Sequence, residues 1–180
     1  GNQFPVQLDN GDESGVSRLV HLALGQVFWD NAVEIVAGRI ITGEDFANLP
    51  MATTSVNQAI CANPIAGNQS ISFPTYPSAV WGARIKAKPF SNWYAQAGSY
   101  LVFEDFRSVD TSGFEFTNPD GSGLLTLGEF GYVTGTLARQ KGLPGVYKGG
   151  AYYDGERVHE LSTGNNAHGT WGVYALGQQM

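Results

Sequence analysis

The sequence is poor in three features, and each absence narrows the class of protein. Cysteine occurs once among 180 residues, so no disulfide can form within the chain. No apolar run reaches the length of about 18 residues that a transmembrane helix needs. Charged residues make up only 14% of the chain, below the quarter or so that is typical of soluble domains. The net charge of −6 argues against nucleic acid as a partner.

The residue patterns of common active sites are also missing. The side chains that could ligate a metal are scattered, with none of the spacings that zinc sites use: His21, Cys61, His159 and His168. There is no nucleophile elbow and no phosphate-binding loop. Glu104 and Asp105 are adjacent acids, but neighbouring strand residues point to opposite faces, so they do not form a glycosidase pair. We therefore expect no catalytic activity, no metal and no cofactor.

Glycine and aromatic residues are plentiful, and both favour an all-β fold. The chain has 24 glycines and 12% aromatics. Its clearest pattern is a hairpin from Ala79 to Phe103, in which two alternating runs of about ten residues flank Phe90-Ser91-Asn92. In the first run Ala79, Trp81, Ala83, Ile85 and Ala87 share one face, and Gly82, Arg84, Lys86 and Lys88 share the other. About ten residues is also the length of a tilted strand that crosses a bilayer.

Five further alternating runs predict strands, giving seven or eight in one domain that spans residues 1–180. They are Ser17–Trp29, Ala32–Ile41, Leu124–Gly135, Gly145–Asp154 and Ala167–Gln178, with Ser55–Cys61 as an eighth candidate. Asp30-Asn31 predicts a tight turn, and Asp154-Gly155 is expected to end its strand. Glu34 and Arg39 fall on opposite faces of one strand, so either one lies near the strand end or a bulge separates them.

Two segments between strands have patterns of their own. Thr42 to Leu49 predicts a short helical turn, with Thr42 as N-cap and Asp45 three residues later. Residues 50–77 are rich in Asn, Ser, Thr and Pro and predict a long loop. In a barrel such a loop can fold into the lumen and narrow it.

The two-faced strands allow two environments. They suit a soluble sandwich with a core face and a water face, or a membrane barrel with a lipid face and a lumen face. Glu129 lies in mid-strand, where a lipid-facing carboxylate is costly, so it is expected to point inward with Phe130 and Tyr132 outward. Five aromatic residues are predicted first as membrane-interface girdles and second as sugar platforms: Trp81, Trp93, Tyr147, Tyr153 and Trp171.

Several short motifs, taken in order, resemble a known family. They are Pro77-Ser78-Ala79-Val80-Trp81-Gly82, Gly128-Glu129-Phe130-Gly131-Tyr132, Pro144-Gly145-Val146-Tyr147-Lys148-Gly149-Gly150-Ala151-Tyr152-Tyr153 and Gly172-Val173-Tyr174-Ala175-Leu176-Gly177-Gln178. Upstream, Ala37-Gly38-Arg39 followed by Asp45-Phe46-Ala47 fits the same pattern. From about Val16 onward the chain is similar to the carbohydrate-selective porins of Gram-negative outer membranes, the OprB-like porins.

The resemblance implies a fold class and a location. The family forms antiparallel transmembrane β-barrels of about sixteen strands, so this chain corresponds to about half a barrel. It ends in Gln179-Met180 rather than an aromatic residue and starts at Gly1, which suggests a fragment or a mature product. An open sheet in lipid leaves unpaired backbone groups, so the first and last strands are expected to pair with backbone outside this chain. The expected location is the outer membrane.

The resemblance also implies a function. The expected role is diffusion of small carbohydrates and similar hydrophilic solutes through a lumen whose charges give weak selectivity. The candidate solute-binding residues are Arg39, Arg84, Lys86, Glu129 and Lys148. Alternatively, these charges only keep the lumen wet or form salt bridges at loop ends. Expected partners are small sugars, the lipid bilayer and a homo-oligomer or membrane complex. The alternative function is a non-enzymatic cell-surface β-domain, either a lectin-like binder or a scaffold component.

Overall fold

The fold is a single antiparallel β-sheet of seven strands. A computed structural model describes residues 18–50, 52–54, 63, 71–103, 105–108, 111–114, 122–135, 142–159 and 166–179. The strands are β1 (Leu22–Phe28), β2 (Val33–Ile40), β3 (Val80–Phe90), β4 (Trp93–Val102), β5 (Gly123–Thr134), β6 (Gly145–His159) and β7 (Asn166–Gln179). Two short helices, α1 (Thr42–Asp45) and a 3₁₀ turn (Ala52–Thr54), lie between β2 and β3. The all-β prediction is confirmed.

Each strand pairs with its neighbours in sequence, in the order β1 to β7. Short turns join β1 to β2 and β3 to β4, and the first includes the predicted Asp30-Asn31. Both of those residues have positive φ, which Asn and Asp tolerate better than most residues. Within the described residues β1 and β7 each pair with one strand only, so the sheet is open, as predicted for half a barrel.

The sheet has one face with charges and large packed side chains and one with aliphatic or aromatic apolar residues. The register aligns Arg84 with Leu127 across β4, and Glu129 with Gln96, on the inner face. Ile85 and Phe130 alternate with them on the outer face, where both are about half exposed. The predicted separation of Arg84 and Lys86 from Trp81, Ala83 and Ile85 is confirmed, as is the inward orientation of Glu129 with Phe130 and Tyr132 outward.

Outward aromatic residues form two bands. Near the turns, Trp93 stacks on Phe130 at 4.9 Å between ring centroids and lies 4.5 Å from Tyr132. Near the other end, Tyr153 pairs across the sheet with Trp171, which is 75% exposed. On β6, Tyr153 follows Tyr147 by six residues, about 20 Å of strand. All five predicted girdle aromatics occupy outward register positions: Trp81, Trp93, Tyr147, Tyr153 and Trp171.

The core lies on the inner face, where part of the β2–β3 connection packs against the sheet. We call residues 42–48 and 71–74 the inner segment. Its Phe46, Ile71 and Phe73 are buried against Tyr100 and Leu125 of the sheet, together with neighbouring apolar residues. The segment's own two arms are joined because Pro74 O accepts a hydrogen bond from Gly43 N. Part of the predicted 50–77 loop thus lies over the inner face.

Two details of the sequence interpretation are corrected. The helical turn is present, but Ile41 is its N-cap and makes no side-chain cap hydrogen bond, so Thr42 does not act as the cap. Strand β6 does not end at Asp154-Gly155. It continues to His159 through a register shift between Asp154 and Arg157, because a bulge absorbs the glycine without breaking the pairing with β7.

One predicted strand and the question of membrane-spanning helices remain to be placed on this fold. The candidate strand Ser55–Cys61 lies outside the described residues. None of the helices within the described ranges has the length and apolar character needed to span a membrane.

Candidate pore-lining site

On the inner face, Glu129 in the middle of β5 has hydrogen-bond donors on both of its carboxylate oxygens. Its side chain is fully buried. Oε1 accepts hydrogen bonds from Tyr94 OH at 2.8 Å and Gln96 Nε2 at 3.0 Å. Oε2 accepts from Tyr174 OH at 2.8 Å and from the backbone N–H of Ala47 at 2.9 Å. This one carboxylate therefore joins three strands to the inner segment.

Lys148 of β6 neutralises Glu129. Its Nζ lies 3.3 Å from Glu129 Oε1, and its side chain is only 7% exposed. A buried carboxylate without a cation would be costly, so this pair explains how a charged residue is tolerated inside the wall. The structure thus brings together two of the predicted site residues in one ion pair.

A second charged cluster surrounds Arg84, in the middle of β3. Arg84 Nη2 lies 3.1 Å from Glu34 Oε1, and Arg84 Nε lies 2.9 Å from Asp45 Oδ2. The guanidinium is therefore held between a carboxylate of β2 and one of helix α1. The planar fork of donors on arginine suits two acidic partners at once. The contact also shows that Glu34, not Arg39, is the residue of β2 that faces inward with Arg84.

Lys86 is the predicted cation with the fewest protein partners. Its Nζ lies 4.6 Å from the centre of the Tyr94 ring, and no carboxylate among the described residues lies within salt-bridge distance. Lys148 Nζ also lies near that ring, at 5.7 Å. A cation over an aromatic face is held by the ring quadrupole, which leaves its N–H groups free for other acceptors. Lys86 therefore offers donors on the inner face.

Gln96 of β4 links the two clusters. Its Nε2 donates both to Glu129 Oε1 and to the backbone carbonyl of Asp45, the latter at 2.7 Å. Burial raises the pKa of Asp45 above its ordinary value, although the neighbouring cations Arg84 and Lys86 oppose that shift. The inner segment is thus part of the charged site, since both clusters bind to its residues 45–47.

Arg39 lies apart from the other predicted site residues. It is the penultimate residue of β2, and its register partners, Leu22 and Trp81, are outward positions. The side chain is 3% exposed, and its Nε donates to the backbone carbonyl of Leu19 at 2.8 Å. Of the two explanations expected for the opposite faces of Glu34 and Arg39, the first therefore holds: Arg39 lies near the end of the strand. A solute contact by Arg39 stays a prediction.

Sequence reasoning missed several members of the site. They are Glu34, Asp45, Tyr94, Gln96 and Tyr174. Alternation does place Tyr94 and Gln96 on one face of β4, but it does not say which face points inward. Only the cross-strand register aligns Gln96 with Glu129, and only tertiary packing brings Asp45 to Arg84.

Residues 2–180 match a family described as "Carbohydrate-selective porin, OprB family". The chain belongs to this family. It is 28% identical to Porin B of Pseudomonas aeruginosa over 145 residues, which are 80% of this chain and 31% of that protein. It is 25% identical over 153 residues to a putative porin, QuiX, of Acinetobacter baylyi, covering 84% of this chain and 34% of that protein.

A solved structure of OprB from Pseudomonas putida, described as a high-pH structure, shares the fold. It superimposes with a TM-score of 0.76 at 22% identity, over 90% of this chain and 40% of the other. The chain spans about a third of the length of the curated relatives it matches. Its fold is therefore part of an antiparallel OprB-type β-barrel, and its location is the bacterial outer membrane.

Proposed function

We propose that this chain forms part of the wall of an outer-membrane porin through which small carbohydrates and similar hydrophilic solutes diffuse. The observation that carries the proposal is the division of the sheet into two faces. The outer face bears apolar residues, with aromatic bands toward its two ends, and the inner face bears the charged clusters of Arg84 and Glu129. That division is the one a lipid-facing and lumen-facing wall requires.

The order of residues along the outer face agrees with a wall that faces a bilayer. Between Tyr147 and Tyr153 the outward positions of β6 are Gly149 and Ala151. Apolar residues between two levels of aromatic side chains are the outward pattern of outer-membrane barrels, whose apolar band is flanked by aromatic girdles. Small residues there let lipid chains approach the wall closely, while the aromatic rings suit the two interfaces.

Weak solute selectivity is expected to come from the inner face. Lys86 is the strongest candidate for direct contact, because its N–H groups can donate to sugar hydroxyls while its ammonium rests on the Tyr94 ring. Arg84 and Lys148 are already paired with carboxylates, so they contribute mainly by fixing the local charge pattern. The inner segment, and with it the loop 50–77, is proposed to narrow the lumen. Assembly into a homo-oligomer stays a prediction.

Reconstitution tests this proposal. The protein purified from outer membranes and placed in liposomes should admit neutral monosaccharides, measured as swelling in iso-osmotic sugar, with rates that fall as the sugar grows. Heat-modifiable migration in gels should report a barrel in the same preparation. A protein that stays in the aqueous phase without detergent, or liposomes that never swell, would instead favour the soluble or scaffold β-domain.

The matched variant addresses selectivity. Lys86→Met keeps most of the side-chain length and removes the ammonium group, so it should alter the ratio of rates between sugars while the barrel still forms. Lys88→Met is the control, because Lys88 is an exposed lysine on the same strand, two residues nearer the turn. Equal sugar ratios in the two variants would exclude Lys86 as a solute contact.

A further inference from the structure

Two buried carboxylates on adjacent strands bind the two arms of the inner segment. Glu129 of β5 accepts the backbone N–H of Ala47 at 2.9 Å. Asp154 of β6, which is 1% exposed, accepts the backbone N–H of Ser72 at 2.8 Å through Oδ2. Both acids therefore hold main-chain groups of the segment that covers the inner face.

The bonds of Glu129 leave no acceptor site for a solute. An ionised carboxylate offers about four lone-pair positions. Tyr94, Gln96, Tyr174 and Ala47 donate to them, and Lys148 lies within ion-pair distance as well. A sugar hydroxyl would have to displace one of these donors from a buried position. Glu129 is thus better suited to hold the wall and the segment together than to touch a passing molecule.

The same reasoning applies to Asp154. Its second oxygen, Oδ1, accepts the backbone N–H of Glu156 at 3.1 Å, so each oxygen already has a donor. Along β6, Asp154 lies four residues from Gly150, the cross-strand partner of Glu129, which corresponds to about 13 Å. The two attachment points are therefore well separated along the wall, and together they restrict both translation and tilt of the segment.

We infer that Glu129 and Asp154 form a two-point clamp that holds the inner segment against the β5–β6 wall and thereby sets the width of the lumen. They are positioning residues, acting through the segment and not through solute contact. This inference rests on the proposed pore function, since a lumen must exist for its width to matter. Charged hydrogen bonds are among the stronger ones, which suits a clamp.

The test uses the porin in planar bilayers together with thiol labelling of the segment. Glu129→Gln and Asp154→Asn keep the side-chain volumes but remove the charge and one acceptor oxygen from each clamp point. Each variant should raise single-channel conductance and weaken size discrimination between sugars. In a Cys61→Ser background, a thiol placed by Ala47→Cys should label with a water-soluble reagent at least about tenfold faster when Glu129→Gln is added, the factor that about 1.4 kcal/mol produces.

Glu44→Gln is the matched control. Glu44 lies on helix α1 of the inner segment, and its replacement removes one negative charge, as in each clamp variant. Its side chain is 57% exposed, and its only ion-pair contact among the described residues is His21 at 4.0 Å. Its conductance and labelling should equal those of the parent porin. A labelling readout is needed because a solute-binding acid would change sugar ratios without freeing position 47.

Each outcome decides the inference. Faster labelling with higher conductance in the clamp variants, and neither in Glu44→Gln, supports it. Parental conductance and labelling in both clamp variants overturn it, as does a change in sugar ratio alone, which would make Glu129 a solute contact. If neither clamp variant yields a heat-modifiable barrel, the carboxylates are needed for the barrel itself and the inference is again overturned. A parent protein that forms no pore would refute the proposed function instead.

Discussion

Arginine and leucine at position 97 should have opposite effects on stability if the outer face meets lipid. Ala97 is exposed on β4, with Ile85 and Gly128 as its outward neighbours across the sheet. The next register partner across the sheet, beyond Gly128, is Ala151 on β6, which lies four residues from Tyr147 and two from Tyr153. Position 97 is therefore inside the apolar band, about 7 Å of strand from the nearer aromatic level and about 13 Å from the farther one.

The magnitude follows from that depth. Arginine at the middle of the bilayer costs about 2–4 kcal/mol on an outer-membrane barrel, and the cost falls toward the interfaces. For Ala97→Arg we expect a loss of about 2 kcal/mol in the free energy of unfolding, since the position is off-centre. Ala97→Leu should be neutral or slightly stabilising, because leucine favours the membrane interior.

Urea unfolding of the porin in lipid vesicles measures both changes in one assay. On a water-exposed surface the contrast would vanish or reverse, since most surface substitutions there stay within about 0.5 kcal/mol of the parent. An Ala97→Arg variant as stable as the parent, with Ala97→Leu no better, would refute the assignment of the outer face to lipid.

Two further predictions concern the inner face. Gly131→Ala should lower the free energy of unfolding by about 1–3 kcal/mol, because its new methyl group would overlap the Tyr94 ring, whereas Gly128→Ala meets no atom within 4 Å and should be neutral in the same urea assay. For Asp45, whose folded pKa is raised by burial, the stability contribution is fully present below the ordinary aspartate pKa and is lost as pH rises through the raised value. Urea midpoints across that acid range should show this loss in the parent and not in Asp45→Asn; an identical pH profile would contradict it.

Much of the sheet could be predicted from alternation alone. The alternation predicts a strand over Trp93 to Phe103, and β4 spans Trp93–Val102. Such runs are readable because one face packs inward while the other meets a different environment, so polarity changes at every residue. The prediction is wrong at Asp154-Gly155, where the residue pair indicates a strand end but the structure has a bulge within a paired strand. Local propensity there yielded to the pairing available on β7.

The site was predictable only in part. Mid-strand charge identified Arg84 and Glu129, because a charge in a lipid-facing row is costly. Their partners were not predictable, since the Glu129–Gln96 pairing depends on register and the Arg84–Asp45 contact depends on how a connection folds over the sheet. The predicted cap role of Thr42 failed for the same reason. Packing of the inner segment, and not a local capping box, sets where that helical turn begins.

The central claim is that alternate residues of β3 face lipid and lumen. In a Cys61→Ser background, Ile85→Cys and Lys86→Cys place single thiols at adjacent positions of the same strand, on opposite faces. With the porin in its native membrane, a charged water-soluble thiol reagent should label position 86, and a small sugar at high concentration should slow that reaction, while position 85 stays unlabelled. Labelling of position 85 together with no labelling of position 86 would contradict the account.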